Sequence, residues 1–443
     1  MSLADFSAKW LTKPAEKLVS VITSIVFLFL DFLDTLFCLI YKYLDEYIEG
    51  EAFTSCCGNR GRREENTKDD QDGELSDTLY RRQNLFREMG FLRIERKLKD
   101  SETKCSEGRW SMNRWSDCGC ESCLSWVSDG DHKLHFVVNE SSVATDENCK
   151  GMPSENVVFL HGFLSSSSFW TQTVVPYFSE QVKQNYRLVA VDLLGFGRSP
   201  KPRNCSYTLK DHVGMIEKSV VQPLNLSSFH LVAHSMGCLI ALALAAKYSK
   251  CVKSITLVAP PYFPSGGNDA SLKALTKLAG KKLWPPLAFG SAFMSWYEHL
   301  GRFVCLMFCR NHRIWEKIIK FFTFQRDLHF LAIDLTRHTH HSAWSSMHNV
   351  ICGGAKFMDR YLEDLSKAGV RINVIQGDKD AVVPLECCYN LKLKAPKAEV
   401  SIIRNADHGN VILGREKECA HYLEDVWAAC KWSNVQEKDA AKI

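Results

Sequence analysis

The chain has 443 residues, 46% of them hydrophobic and 24% charged, which is enough to bury a large core and too apolar for a disordered protein. Its 55 basic and 51 acidic side chains leave a formal charge of +4, and no strip of arginine interleaved with aromatics appears, so composition gives no reason to expect a nucleic-acid partner. Eighteen cysteines, together with glycosylation sequons at Asn139, Asn204 and Asn225, fit the secretory pathway better than the cytosol.

In chain order, Lys9, Lys13 and Lys17 precede the apolar run "LVSVITSIVFLFL", which continues through "DFLDTLFCLIYKYL". Basic-then-apolar order is what translocation machinery reads. The run is long enough to span a bilayer, yet Asp31 and Asp34 lie in its middle, and each costs roughly 2.5–3.5 kcal/mol at the centre of a spanning helix. Residues 1–53 are therefore expected to be a signal built on 19–30, or an interfacial helix that keeps both aspartates wet. Beyond it, "TSCCGNRGRR" places Cys56 and Cys57 next to a basic cluster. They are either acylation sites completing a two-signal anchor or ordinary linker cysteines. Residues 54–78 are charged and aperiodic, as a solvated linker is. Further on, "CGCESC" holds Cys118, Cys120 and Cys123 between two tryptophans. A closed zinc site needs four ligands, and no second pair lies nearby, so disulfides or buried thiols are expected and no metal.

After residue 156, short apolar runs alternate with helical stretches, the pattern of a parallel sheet covered by helices on both faces. Six candidate strands are "VVFLHGF", "YRLVAVDLLG", "FHLVA", "SITLVAP", "INVIQGD" and "EVSIIRNADHG", with "KLHFVVNES" and "GFLRIERKL" as antiparallel additions. In such sheets function sits at the carboxyl ends of the strands. The third strand runs directly into an Ala- and Leu-rich helix through Ala233-His234-Ser235-Met236-Gly237. A strand that turns straight into a helix forces its joint residue into strained geometry and thrusts the side chain forward, so the flanking positions must be small. Ala233 adds one methyl to the usual G-x-S-x-G.

A serine hydroxyl is a weak nucleophile at its own pKa and needs a base, a carboxylate that holds the base in the right tautomer, and N–H donors for the oxyanion. His408, in "NADHGN" after the last strand, is the candidate base. "GDKDAVVP" offers Asp380 as the acid, with Asp378 the alternative that more naturally braces the turn. Phe163, in "FLHGF", and Met236 are the candidate backbone oxyanion donors. The chain order Ser, Asp, His is that of α/β-hydrolases. Asp192 precedes the serine and is not expected to belong to the triad. No cofactor is called for.

Between "SITLVAP" and "INVIQGD" the strand rhythm is interrupted by helical segments rich in Trp, Phe, Leu and Met. An insertion there would roof the serine and accept an acyl chain, with Lys281, Lys282, Arg302 and Arg310 near a lipid head group, or else its aromatics simply pack on one another. His338, His340 and His341 do not converge at their spacing and are expected to pack, cap or bridge cap to core. The expected organisation is hydrolase core 79–261, helical cap 262–364, hydrolase core 365–432 and a polar tail 433–443.

The set "VVFLHGF", "VDLLGFGRSPKP", "VAHSMGC", "VAPPYFP", "KLWPP", "WYEH" and "HTHHSAWSSMHN" resembles the plant BODYGUARD family of α/β-hydrolase-fold proteins, from the N-terminal segment to near Trp432. The resemblance implies a secreted or cell-surface protein needed for cuticle formation, described as a probable lysophospholipase, with Ser235, Asp380 and His408 as its triad. Three functional classes follow: a serine hydrolase of lipid esters; an acyltransferase using the same triad, for which "HFLAID" (His329 to Asp334) offers an H-x-x-x-x-D match; and a non-catalytic lipid-binding protein on a hydrolase scaffold.

Overall fold

The computed structural model describes residues 3–49, 75–79, 84–89, 114–128, 133–139, 155–264, 269–280 and 286–440. Its first elements are helices α1 (Leu3–Glu49) and α2 (Glu121–Ser128). The sheet is built from β1 (Phe136–Asn139), β2 (Glu155–Leu160), β3 (Tyr186–Val191), β4 (Phe229–His234), β5 (Val252–Val258), β6 (Arg371–Gly377) and β7 (Glu399–Ile403). Their order across the sheet is β1-β3-β2-β4-β5-β6-β7, with β1 antiparallel to β3 and every other pair parallel. All six runs read as strands are strands. "KLHFVVNES" supplies β1, and "GFLRIERKL" lies outside the described residues.

The sheet is buried on both faces because its side chains alternate with period two between two cores. Val158 and Leu160 of β2, Val189 and Val191 of β3, and Leu231 and Ala233 of β4 enter one core. There they meet α3 (Leu209–Ile216), α4 (Met236–Lys247) and a returning helix, residues 358–367. Val157, Phe159, Leu188, Ala190 and Val232 enter the other, against Trp170 and the C-terminal helix that carries Trp427. Residues 236–245 of α4 are all buried, as a helix apolar on every side requires.

Between β5 and β6 lie α5 (Ala270–Leu278), α6 (Pro286–Trp296), α7 (Glu298–Met307), α8 (His312–Thr323), α9 (Phe330–Asp334), α10 (His340–Ser346) and α11 (Met358–Lys367). Helix α11 packs on α4 in the core layer, so the inserted cap closes ahead of it. The cap sits on the turn after β3: Ser342 Oγ donates to Gly195 C=O (2.9 Å), and a β-bridge joins Phe196 to His338. Gly195 has φ +87°, and a side chain there would strike Ser342 and Tyr207. The fold closes with α12 (Glu386–Lys394) and α13 (Glu416–Ala440).

Helix α1 does not keep its aspartates in water. Its buried positions Phe27, Asp31, Asp34, Cys38, Tyr41 and Asp45 step by four and three, a stripe that faces protein. Asp34 Oδ1 accepts the N–H groups of His299 and Leu300 (2.9 and 3.3 Å), so α1 caps the N-terminus of α7 from outside that helix. Asp45 takes Arg302 through two parallel bonds of 2.7 Å and Trp115 Nε1–H at 2.6 Å. The guanidinium lies over the rings of Tyr41 and Trp115, 4.8 and 5.2 Å from their centroids. Arg302 is thus a buried structural cation rather than a head-group ligand. Arg310 is exposed, and Lys281 and Lys282 lie outside the described residues, as do Cys56 and Cys57.

Another expectation also fails. Residues 54–78 were expected to be solvated throughout, yet Ser76 and Thr78 are buried. Ser76 N–H donates to Asn349 Oδ1 (3.0 Å), and Thr78 Oγ1 pairs with His348 Nδ1 (2.9 Å). The backbone of Ser76 and the hydroxyl of Thr78 thus tie the end of this segment to the base of the cap.

Candidate active site

Ser235 stands between β4 and α4 with φ +51° and ψ −121°, a conformation that costs a non-glycine residue about 1–3 kcal/mol. The turn is held open for it by small neighbours. A side chain on Gly237 would meet the carbonyl oxygens of His161 and Leu160 at 2.5 and 2.9 Å, and one on Gly162 would meet His234 at 2.8 Å and Ser235 Cβ at 3.2 Å. Ala233 is buried in the core that α4 also enters, where its methyl packs among apolar side chains.

Three strand ends converge at the serine. His408 Nε2 lies 3.0 Å from Ser235 Oγ, and His408 Nδ1 lies 2.8 Å from Asp380 Oδ2. Asp380 is itself fixed: its Oδ1 accepts Val382 and Val383 N–H (2.8 Å each), and its Oδ2 also accepts Gln376 Nε2–H (3.1 Å). A carboxylate so placed accepts a hydrogen bond from Nδ1–H, fixing the proton on Nδ1 and leaving the lone pair of Nε2 toward the hydroxyl. Asp378 is exposed; its N–H donates to Ile403 C=O (3.1 Å), so it braces the turn and the alternative acid is set aside.

The oxyanion candidates fall beside the serine. Met236 is the first residue of α4, where a helix N–H has no intrahelical acceptor. Phe163 follows Gly162, whose carbonyl is bonded by His161 Nδ1–H (2.7 Å) while His161 Nε2 accepts Leu193 N–H (2.9 Å). Because a trans peptide points its C=O and N–H in opposite directions, tying the Gly162 carbonyl back turns Phe163 N–H the other way. Burial holds His161 below the usual imidazole range, in the neutral form this pair of bonds needs. Two N–H dipoles at this turn suit the charge of a tetrahedral intermediate.

Several supporting residues carry no motif. His234 Nε2–H donates to the backbone carbonyl of His408 (3.1 Å) and its ring stacks on Phe169, centroids 4.8 Å apart. Burial, then the neighbouring His408, lowers its pKa to about 3, so it is a neutral strut under the base. Within the "NADHGN" loop, Asp407 Oδ1 accepts Gly409 and Asn410 N–H (2.9 and 2.8 Å). Lys379 N–H reaches Ala406 C=O (2.9 Å), joining the acid and base loops. The sequence clue was the polarity of both turns; the pairing across strands had none.

Asp192 lies outside the triad. It accepts Ser167 N–H (2.6 Å) and Arg198 N–H (2.8 Å) and meets His135 Nδ1 at 3.0 Å, staying ionised well below the ordinary range because these contacts outweigh its burial. His329 and Asp334 form no acyltransferase pair: His329 accepts the N–H of Leu331 at the start of its own helix (3.4 Å), and Asp334 accepts Ser166 Oγ–H (2.7 Å). His341 Nε2 meets Cys205 C=O at 2.9 Å, a cap-to-core bond, while His340 stacks on Trp344. Asn139, Asn204 and Asn225 are all exposed.

Comparisons with known proteins agree with this geometry. The profile of a family described as alpha/beta hydrolase fold matches residues 155–282. The "Probable lysophospholipase BODYGUARD 4" of Arabidopsis thaliana is 52% identical over 416 residues, covering 93% of this chain and 97% of that protein. "Probable lysophospholipase BODYGUARD 5" of the same plant is 51% identical over 435 residues, covering 94% and 97%. "Probable lysophospholipase BODYGUARD 1" is 38% identical over 451 residues, covering 91% and 94%.

Proposed function

This chain belongs to the plant BODYGUARD family of α/β-hydrolase-fold proteins, and from that premise we propose that it is a serine hydrolase of lipid esters, of lysophospholipase type. What carries the reading is the line Ser235 Oγ, His408 Nε2, His408 Nδ1, Asp380 Oδ2, with successive contacts of 3.0 and 2.8 Å, on a strained strand-to-helix turn. Ser235 Oγ attacks the ester carbonyl carbon while His408 Nε2 takes its proton. The carbonyl oxygen, now an oxyanion, sits against Phe163 and Met236 N–H. Collapse breaks the acyl–oxygen bond, and the proton on Nε2 passes to the departing alcohol. Water then attacks the acyl-serine with His408 as base again, releasing the fatty acid and restoring the serine.

Two outward apolar surfaces support action at a lipid surface. On α1, Leu18, Ile25, Phe29, Phe32, Leu36 and Tyr43 are exposed along the face opposite its buried stripe. At the end of α8, Phe321 and Phe322, and Phe324 just beyond it, are exposed as well, Phe324 by 91%. An amphipathic helix with this division lies in the plane of a membrane, its acidic stripe on protein and its apolar face in lipid. We place the protein at the membrane or cell-wall side of the secretory pathway, with α1 retained, because cleavage within 19–30 would strip Phe27 from its packing on Tyr297. A role in cuticle formation is part of the same proposal.

The test is release of free fatty acid from micellar lysophospholipids, with and without a hydroxy fatty acid as acceptor, by wild type and by Ser235→Ala. Turnover by wild type alone supports the hydrolase. Transfer to the acceptor in preference to water moves the assignment to acyltransferase, and folded wild type inert on every acyl ester leaves only a binding role.

A further inference from the structure

A second constellation of reactive side chains lies at the junction of α1, residues 114–128 and the cap, and the hydrolase reading makes no use of it. The Sγ atoms of Cys118, Cys120 and Cys123 and the Nε2 of His312 all fall within 4.8 Å of one another. His312 Nε2 is 3.5 Å from Cys120 Sγ and 3.5 Å from Cys123 Sγ. A tetrahedral zinc ion with Zn–S of about 2.3 Å and Zn–N of about 2.0–2.1 Å sets its ligand atoms about 3.5 Å apart for S and N and about 3.8 Å apart for two sulfurs. The two S–N distances are therefore already those of a zinc shell, and no ligand pair is farther apart than 4.8 Å.

Local structure explains the spacing. Cys118 and Cys120 occupy the turn that leads into α2, and Cys123 sits in its first turn, where the N–H groups of Cys123 and Leu124 both donate to Cys120 C=O (2.9 Å each). That turn folds three sulfurs to one side, and Cys120 N–H donates to Cys118 Sγ (3.5 Å), as backbone amides do toward thiolate ligands. His312, at the start of α8, holds its other nitrogen 3.1 Å from Glu316 Oε1, one turn further on. This carboxylate–imidazole pair places the proton on Nδ1 and leaves the Nε2 lone pair facing the sulfurs, the arrangement found behind metal-bound histidines. Among the described residues, no disulfide joins Cys120 or Cys123 to another cysteine. A disulfide among them would leave one thiol odd and give His312 no role, whereas a Cys3His shell employs all four groups.

We propose that Cys118, Cys120, Cys123 and His312 form a closed structural zinc site that staples the segment ahead of the sheet to the cap. It departs from the expectation of disulfides or buried thiols for "CGCESC". The fourth ligand stands 189 residues beyond Cys123, in the run Cys305-x3-Cys309-x2-His312. Because metal binding to a site formed only on folding is folding free energy, the ion would hold in register the junction that Arg302, Asp45 and Trp115 also build. A neighbouring trio, Cys305, Cys309 and His338, has both sulfurs 3.6 Å from His338 Nε2. With three ligands it stays outside the proposal and serves as the control.

The experiment measures zinc per chain in purified full-length protein by elemental analysis, for wild type, Cys120→Ser/Cys123→Ser and Cys305→Ser/Cys309→Ser. The first double variant is expected to lose one zinc per chain relative to wild type. The control variant should retain that zinc. Should the first variant not fold, native wild type is alkylated before and after a chelator and mapped without reduction. Cys118, Cys120 and Cys123 should become reactive together, only after chelation, with a lower melting temperature. Equal zinc in wild type and the first variant overturns the site, and so does a disulfide joining any two of the three cysteines or alkylation of all three before chelator is added.

Discussion

The carboxyl edge of the sheet and the junction of α1 with the cap are both built from buried polar groups, but they are assembled by different rules. At the sheet edge each reactive residue is the last word of its own strand. Ser235 follows β4, Asp380 follows β6 and His408 follows β7, so parallel pairing alone brings them to one side. At the junction nothing local aligns the partners: Asp34 caps α7, Asp45 grips Arg302, and residues 114–128 fill the gap between them, across some 70 to 265 residues of chain. The first region presents groups that are to be used, the acid buried and the base partly exposed beside the serine. The second buries charge against hydrogen-bond and ion-pair partners that hold helices together.

That difference sets how each should break. Asp380→Asn is the largest expected effect. The Asn carbonyl keeps Val382 and Val383 N–H, which forces its NH2 toward His408. His408 must then accept at Nδ1 and carry its proton on Nε2, the wrong tautomer for the serine. We expect kcat to fall about 10^4-fold, some 5 kcal/mol, with the melting temperature little changed. A loss of activity that tracks loss of folded protein would instead make Asp380 structural.

Asp45→Ala should do the reverse. It leaves Arg302, whose side chain is only 5% exposed, without its bidentate partner and Trp115 without its acceptor. Denaturant unfolding should show about 3–5 kcal/mol less stability, with turnover per folded molecule preserved. A change within experimental error would show that the junction is not held by this pair.

Glu155→Gln probes the opposite end of the sheet. Glu155 opens β2, bonded to Lys253 Nζ (2.6 and 2.7 Å) and 3.5 Å from His230 Nε2. Burial pushes its pKa up, but His230 and Lys253 outweigh this and hold it at about 2, against an ordinary 4.5. A depressed folded pKa means the contribution is complete above pH 4.5 and fades as pH falls toward 2. The variant should lose roughly 3 kcal/mol at neutral pH and show a flatter acid limb in a melting-temperature series, with activity unaltered. An unchanged acid limb would assign the acid sensitivity elsewhere.

The same contrast explains what could be read before the structure. All six strands and the three triad positions were legible because strand ends carry their own signatures: an apolar run, then a turn of Gly, Asp or His. The Asp380 choice over Asp378 needed only the position on the turn. What escaped were the contacts that join α1 and residues 114–128 to the cap. Asp31 and Asp34 looked like intruders in an apolar helix because their partners sit in the cap. Arg302 looked like a free cation, and three cysteines looked like they lacked a fourth ligand. His161 and His234 were quoted inside motifs, but their roles depend on which carbonyl each ring meets, which no spacing encodes.

The central claim is that Ser235 is a nucleophile activated by His408 and Asp380. The most direct measurement is labelling of purified protein with a fluorophosphonate probe, wild type beside Ser235→Ala, with mass analysis of the labelled peptide. The account predicts a single label on Ser235, lost in the variant and strongly slowed in Asp380→Asn. A folded wild-type protein that takes no label, or takes it on another residue with Ser235→Ala labelled equally, would contradict it.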